Sequence, residues 1–251
     1  MSLEAQLAFI GIVLGAYVVG TALGFGTSIF TITFASLLMP LDQLLPIVAT
    51  LNFGLGLYLA IRYRRDTAWR ALLLRFAPPV ALGVPVGYLL FSLREAAIIR
   101  LAFGIFVLLL AARELTAKKG EAPAVPVTPW RARLLLLAGG VIHGLYTTGG
   151  PLIVYVFGRE LHDKAAFRAT TATVFLPMTL GLIISYYFSG LFQPPVLRLG
   201  LLAVPVVLLG MWLGEKVYQR VEADRFKRGV WALLCVGALV LIGRAAFNML
   251  S

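Results

Sequence analysis

The chain has little of what most enzymes and nucleic-acid binders are built from. Only 13% of its 251 residues are charged, one is cysteine and two are histidine. A single cysteine excludes a disulfide framework and a cysteine metal cluster, and the place of Cys235 inside the apolar run Val230 to Ile242 marks it as a small buried hydrophobe. None of the 11 acidic residues falls in the middle of an apolar run, since Glu4, Asp42, Glu95 and Glu215 all stand at run edges. That argues against a carboxylate proton relay or a multi-carboxylate cation site. There is no HExxH, and Gly24-Phe25-Gly26-Thr27-Ser28 lacks the lysine of a phosphate-binding loop. No metal or other cofactor is implied. A serine–histidine pair could be composed from Ser28 or Ser185 with His143, but neither serine has a nucleophile motif around it, so no enzyme is expected.

What fills the chain instead is apolar. Hydrophobic residues make up 60% of it and the mean hydropathy is +0.92, beyond what a water-soluble domain of this size reaches. A spanning helix needs roughly 20 mostly apolar residues, so there is room for about eight to ten. The composition predicts an all-α polytopic membrane protein with the lipid bilayer as its surroundings. The formal charge of +11 does not point to nucleic acid, because the basic residues sit in short clusters between apolar runs rather than in one stripe. Glu4, with no Lys or Arg before the first apolar stretch, is unlike the basic start of a removable signal peptide, and the first helix is expected to be retained.

Charge, Gly and Pro divide the chain into five apolar segments, a polar break and five more. The first five run roughly Leu3 to Leu23, Thr27 to Met39, Leu41 to Ile61, Trp69 to Phe91 and Ala96 to Ala112. The second five run roughly Arg133 to Thr147, Pro151 to Phe157, Ala165 to Phe188, Val196 to Val217 and Phe226 to Leu250. Between them Lys118-Lys119-Gly120-Glu121 and prolines at 123, 126 and 129 make an extended linker. The halves align weakly with each other: Gly20 to Gly26 with Gly144 to Gly150, Gly83 and Gly87 with Gly210 and Gly214, and Arg100 with Arg228. The expected organisation is a first repeat over 1–113, a cytoplasmic Pro-rich linker over 114–130 and a second repeat over 131–251.

Lys and Arg set the topology. Clusters at 62–70, 113–133, 159–168 and 216–228 hold 17 of the 22 basic residues and belong on the cytoplasmic side. Tracing the chain from these anchors gives the two repeats opposite orientations, as in many secondary transporters. The first two segments of each repeat must return to their starting side, as a fully spanning or a re-entrant hairpin with a Gly-rich tip. Pro151 to Phe157, about 10 Å long as a helix, favours the re-entrant form. The diproline Pro78-Pro79 would kink a spanning helix, and Pro194-Pro195 would end one.

Both tips place Gly and small polar residues among apolar surroundings: Gly24 to Ser28 in one half, Thr147 to Pro151 in the other. Non-helical backbone at membrane depth survives only when buried in protein or lining a wet cavity. Each tip opens a new helix whose free amides and positive dipole end favour an anion. The alternative is that the glycines only permit helix breaks and close packing. Candidate ligands to a substrate anion are Gly26, Thr27 and Ser28 of the first tip and Thr147, Thr148, Gly149 and Gly150 of the second. Asn52 and the cluster Thr170, Thr171 and Thr173 lie in matching third segments, and His143 and Tyr146 flank Gly144. An inter-helix hydrogen bond or core packing is the competing role for each of these. Arg75 either attracts anions at an entrance or snorkels to the interface, and Tyr186, Tyr187 and Trp212 near segment ends read as interfacial anchors. Five GxxxG spacings, at Gly11/Gly15, Gly20/Gly24, Gly83/Gly87, Gly140/Gly144 and Gly210/Gly214, let helices approach closely. Such spacings serve contacts within one chain and between two, so a homodimer stays open.

With Gly24-Phe25-Gly26-Thr27-Ser28 opening one half and Gly144 with Gly149-Gly150-Pro151 in the other, the chain resembles the sulfite exporter TauE/SafE family, the toluene sulfonate uptake permeases. The resemblance covers essentially the whole chain, with Thr147 standing where the motif usually has a further glycine. It implies a multi-pass carrier of the bacterial inner membrane whose partner is a small anionic solute, sulfite or an organosulfonate. Alternating access would carry the anion past a midplane site between the two Gly-rich breaks. With an interior-negative potential, outward movement of one negative charge gains about 2.3 kcal/mol per 100 mV, which favours export without a coupling ion. The alternatives are a proton-coupled importer of sulfonates acting through His143 and a non-transporting scaffold or assembly protein.

Overall fold

The computed structural model describes residues 2–23, 26–93, 96–116, 127–161, 163–220 and 223–250. Gly24 and Phe25 of the first tip, and Lys118 to Glu121 with the prolines at 123 and 126, lie outside the described residues. The described chain is helical, with no strand among the described residues. In order the elements are α1 (Leu3–Leu23), α2 (Thr27–Ala35), α3 (Leu41–Arg62), α4 (Trp69–Leu93), α5 (Ala96–Thr116), α6 (Pro129–Tyr146), α7 (Gly150–Glu160), α8 (Lys164–Phe188), α9 (Pro194–Arg220) and α10 (Ala223–Leu250). Stretches of α1, α3, α4, α8, α9 and α10 are long and apolar enough to cross a membrane.

Three local features follow from the sequence. Helix α4 holds one π-helical turn, Leu72–Phe76, directly before Pro78-Pro79. Two consecutive prolines withhold two N–H groups and crowd the carbonyls one turn back, and a widened turn makes room for both rings. The second diproline behaves differently from the sequence expectation: Pro194-Pro195 opens α9 instead of ending a helix. Proline at a helix start gives up only amides that have no intrahelical acceptor. Helix α7 extends four residues beyond the expected Pro151 to Phe157, to 11 residues. At about 16 Å it is still too short to cross a core of about 30 Å.

The chain forms two compact units, and each draws on both sides of the 117–126 linker. The first comprises residues 1–48, 94–121 and 191–251, and the second residues 49–93 and 122–190. Their cores are built differently. In the first unit α1 packs along α9 and α5 along α10. Gly210 and Gly214 of α9 bring that helix against Leu14, Tyr17, Val18 and Thr21 of α1, but α1 offers no glycine in return. Gly237 of α10 makes room for Thr33 and Phe34 of α2, and Arg244 Nη1 donates to the Leu37 carbonyl at 3.0 Å just past the end of α2.

In the second unit α4 packs along α6 with glycine on both faces. A Cβ at Gly83 or Gly87 would collide with the Leu137 or Val141 carbonyl of α6, and one at Gly140 or Gly144 with the Val80 or Val84 carbonyl of α4. Four glycines at two GxxxG spacings thus allow backbone-to-backbone contact, the packing that substitutes for a hydrophobic driving force in lipid. Helix α7 is held to α4 through Phe76 and Phe157, whose ring centroids lie 4.4 Å apart, and through an Arg75–Glu160 ion pair at 2.8 Å.

Candidate functional site

The first break, between α1 and α2, is conformationally simple. Gly26 carries φ of +98°, a left-handed conformation only glycine adopts cheaply, and hands the chain to α2 with no side-chain cap. Thr27 and Ser28 follow, both half-buried and both already engaged. The Thr31 hydroxyl closes back on the Thr27 carbonyl at 2.8 Å. Gly20 clears the space taken by the Thr27 side chain. Val19, which stands in register with His143, is buried and apolar.

The second break, between α6 and α7, is polar and strained. Helix α6 ends on Thr147, the only non-glycine residue with positive φ among the described residues, at +53°. Its amide still bonds the His143 carbonyl at 2.7 Å. A left-handed β-branched residue is a steric outlier, at about 1–2 kcal/mol, and such outliers persist where the surroundings over-determine them. The surroundings here are His143 and Gly149. The His143 ring is buried, with Nε2 3.2 Å from the Thr179 hydroxyl and Nδ1 accepting from the Gly149 N–H at 3.5 Å. Accepting at Nδ1 puts the ring proton on Nε2, directed to Thr179. The Phe175 ring lies against the imidazole at 5.0 Å. Gly149 has ordinary φ, so space and not conformation demands it: a Cβ there would collide with the Gly139 carbonyl and crowd His143.

Beyond this staple α7 begins at Gly150, with Pro151 in its first turn and no side-chain cap. Tyr146, Thr147 and Thr148 are all buried around it. The Thr147 hydroxyl oxygen is sealed from the surface. Its polar neighbour is the Tyr186 hydroxyl, likewise buried, which shares a side-chain hydrogen-bonding contact with Thr147, and neither oxygen closes any other hydrogen bond.

The remaining predicted residues are placed elsewhere in the second unit. Thr170 accepts from the Ala68 amide at 3.0 Å, and Thr173 meets the Thr67 hydroxyl at 3.4 Å while donating to the Ala169 carbonyl at 2.8 Å. Their hydroxyls secure the 67–68 connection before α4. Thr171 Oγ1 is buried without a partner, and Asn52 is half-buried on α3 and engaged. Arg75 is more than half exposed and paired with the nearly buried Glu160. It lines an open groove of about 620 Å³ together with Trp69, Arg70 and Leu74.

Two residues at the second break were not among the expected site residues. Thr179 holds His143, and Tyr186, expected at the membrane interface, is fully buried, unlike its neighbour Tyr187 at 69% exposure and Trp212 at 56%. The signal was the helical period: Phe175, Thr179, Leu182 and Tyr186 fall on one stripe of α8.

Comparison with known proteins bears on what such a site serves. The family model described as Sulfite exporter TauE/SafE matches residues 7–241. The chain is similar to the Probable inner membrane transporter protein TsaS of Comamonas testosteroni, at 22% identity over 178 residues, which is 70% of this chain and 73% of that one. No solved structure matches it.

Proposed function

Since the chain belongs to the sulfite exporter TauE/SafE family, and is a multi-pass transporter of the bacterial inner membrane rather than an enzyme, we propose that it exports a small sulfur oxyanion, sulfite or an organosulfonate, by alternating access. The observation that carries this reading is the α6–α7 break: a buried hydroxyl at Thr147 beside a helix start with no side-chain cap. A helix start of that kind offers amides and positive dipole to an anion. Thr147, Thr148, Gly149 and Gly150 are the proposed contacts there, and Gly26, Thr27 and Ser28 are the corresponding positions of the first break.

His143 acts in this reading as a strut that fixes Gly149 and not as a proton carrier, because both ring nitrogens already have partners inside the protein. Export then needs no coupling ion, since the membrane potential drives an anion outward. The inverted-repeat organisation over 1–113 and 131–251 is part of the proposal. It is supported by the exchange of helices: the first helix of each half packs on the fourth of the other, α1 on α9 and α6 on α4, and the two fifth helices, α5 and α10, pack together.

The test is melting of the purified, detergent-solubilised protein with sulfite, sulfate, thiosulfate, methanesulfonate, aryl sulfonates, chloride and carboxylates. A specific ligand raises the melting temperature by an amount that grows with its concentration over Kd. A rise restricted to sulfur oxyanions supports the proposal, and a rise with carboxylates alone, or with none of the solutes, refutes it.

A further inference from the structure

Where α8 passes α4 and the end of α6, five of the hydroxyl-bearing residues divide into two groups. The Tyr88 hydroxyl lies 2.6 Å from Ser189 Oγ and donates to the Ser185 carbonyl at 3.2 Å, while Ser185 Oγ donates to the Gly181 carbonyl at 2.9 Å. Those three residues, Tyr88, Ser185 and Ser189, satisfy one another and the backbone. The other two, Thr147 and Tyr186, are sealed within the protein and have only each other's hydroxyl as a hydrogen-bonding contact.

A buried hydroxyl with unmet hydrogen-bonding capacity is unfavourable, and most unfavourable in a chain surrounded by lipid. Two hydroxyls that can bond only each other still leave one O–H without an acceptor, beside hydroxyl neighbours that are satisfied. The Tyr186 ring cannot swing away easily, because the Tyr88 ring flanks it at 5.8 Å and the Phe91 ring meets it edge-on at 6.3 Å. Thr147 is fixed in its left-handed conformation between His143 and Gly149. Both oxygens are therefore preorganised by packing, and glycine at position 147 would be free of strain but would carry no hydroxyl.

We propose that Thr147 Oγ1 and Tyr186 OH form an oxyanion subsite, in which each hydroxyl donates to a different terminal oxygen of the transported anion. This rests on the reading of the α6–α7 break as the anion site and narrows it: the ligand must carry at least two terminal oxygens, as sulfite and sulfonates do and a halide does not. Two uncharged donors favour release as well as capture, which a carrier requires.

The experiment uses the full chain in detergent, melted across a titration of sulfite and of methanesulfonate with chloride as control, for the native protein and for Tyr186→Phe, Thr147→Gly and Thr147→Ser. Without ligand, Tyr186→Phe and Thr147→Gly are expected to melt at or above the native temperature, since each removes one hydroxyl from a buried pair that cannot satisfy both of its donors, and Thr147→Gly also removes strain. Both are expected to need at least tenfold more oxyanion for the same rise in melting temperature, while Thr147→Ser keeps the native response. If native protein responds and both variants titrate as it does, the subsite is wrong and the oxyanion site lies elsewhere at the break. If native protein responds to neither oxyanion, the reading of the break fails and the subsite with it. Should Thr147→Gly not fold, Tyr186→Phe, which keeps the ring and loses only the hydroxyl, decides the matter.

Discussion

The two helix breaks solve one geometric problem with opposite chemistry. At α1–α2 the left-handed turn falls on Gly26, Thr27, Ser28 and Thr31 beside it are engaged, and Val19 stands where the other break has His143. At α6–α7 the left-handed turn falls on Thr147, a histidine holds the junction through both its nitrogens, and the hydroxyls of Thr147 and Tyr186 have only each other. The first break is an inexpensive way to reverse a chain, and the second holds strain and unmet hydrogen bonds. Strain and unsatisfied polarity are concentrated where a protein binds something. Under the proposed function, the second break therefore carries the selective part of the site. The same asymmetry runs through the helix pairs, four glycines between α4 and α6 against two between α1 and α9.

The largest expected effect comes from that pairing. Gly144→Leu drives a side chain into the Val84 carbonyl, where backbone on both sides leaves nothing flexible to move, and should abolish recovery of folded protein in detergent. Gly243→Ala, whose Cβ meets no heavy atom within 4 Å, should melt as the native chain does. Equal tolerance of both changes would break the claim that α4 and α6 are locked backbone to backbone.

Next in size is His143→Leu. It leaves the Gly149 N–H and the Thr179 hydroxyl buried without partners, at about 1–3 kcal/mol each, and the corresponding change at the first break, Val19→Leu, should cost far less. Melting temperatures of the two variants side by side sharpen the contrast, and an unchanged midpoint for His143→Leu would remove it.

A smaller effect separates a left-handed glycine from one with ordinary φ. Gly26→Ala should destabilise by about 1–2 kcal/mol because φ of +98° is unfavourable for any side chain, although nothing stands within 4 Å of the new Cβ. Gly150→Ala, also unobstructed but without positive φ, should be close to neutral. If the two alanine variants melt alike, conformation is not what Gly26 supplies.

The smallest effect belongs to Arg75→Gln. Its guanidinium is more than half exposed, so loss of the Glu160 pair should change stability by less than about 1 kcal/mol. A larger drop in melting temperature would show that the π-helical turn depends on this ion pair.

Much of the architecture was legible because lipid leaves a chain few options. The apolar segments beginning at Leu3, Thr27, Leu41, Trp69 and Ala96 start where α1 to α5 start, since every backbone amide at membrane depth must be met within a helix. The GxxxG spacings at Gly83 and Gly140 marked close helix contacts. Their partners were not legible, because a spacing states that a helix can approach another and not which one. Tyr186 was read as an interfacial anchor for a similar reason: position near a helix end is visible in sequence, and the side of the helix that a neighbour covers is not.

By itself the sequence determined the class of the protein, its helical segments, its two Gly-rich breaks and the placing of acids outside the middle of its apolar runs, because hydropathy, charge and glycine content act locally and are conserved in any fold the chain could adopt. Only the tertiary structure decided that each compact unit mixes helices from both halves, that His143 and Thr179 hold Gly149, that Thr170 and Thr173 secure the connection before α4, and that the buried hydroxyls of Thr147 and Tyr186 have only each other. Each of these depends on side chains tens of residues apart meeting at a fixed distance and angle, and packing, not composition, sets those distances.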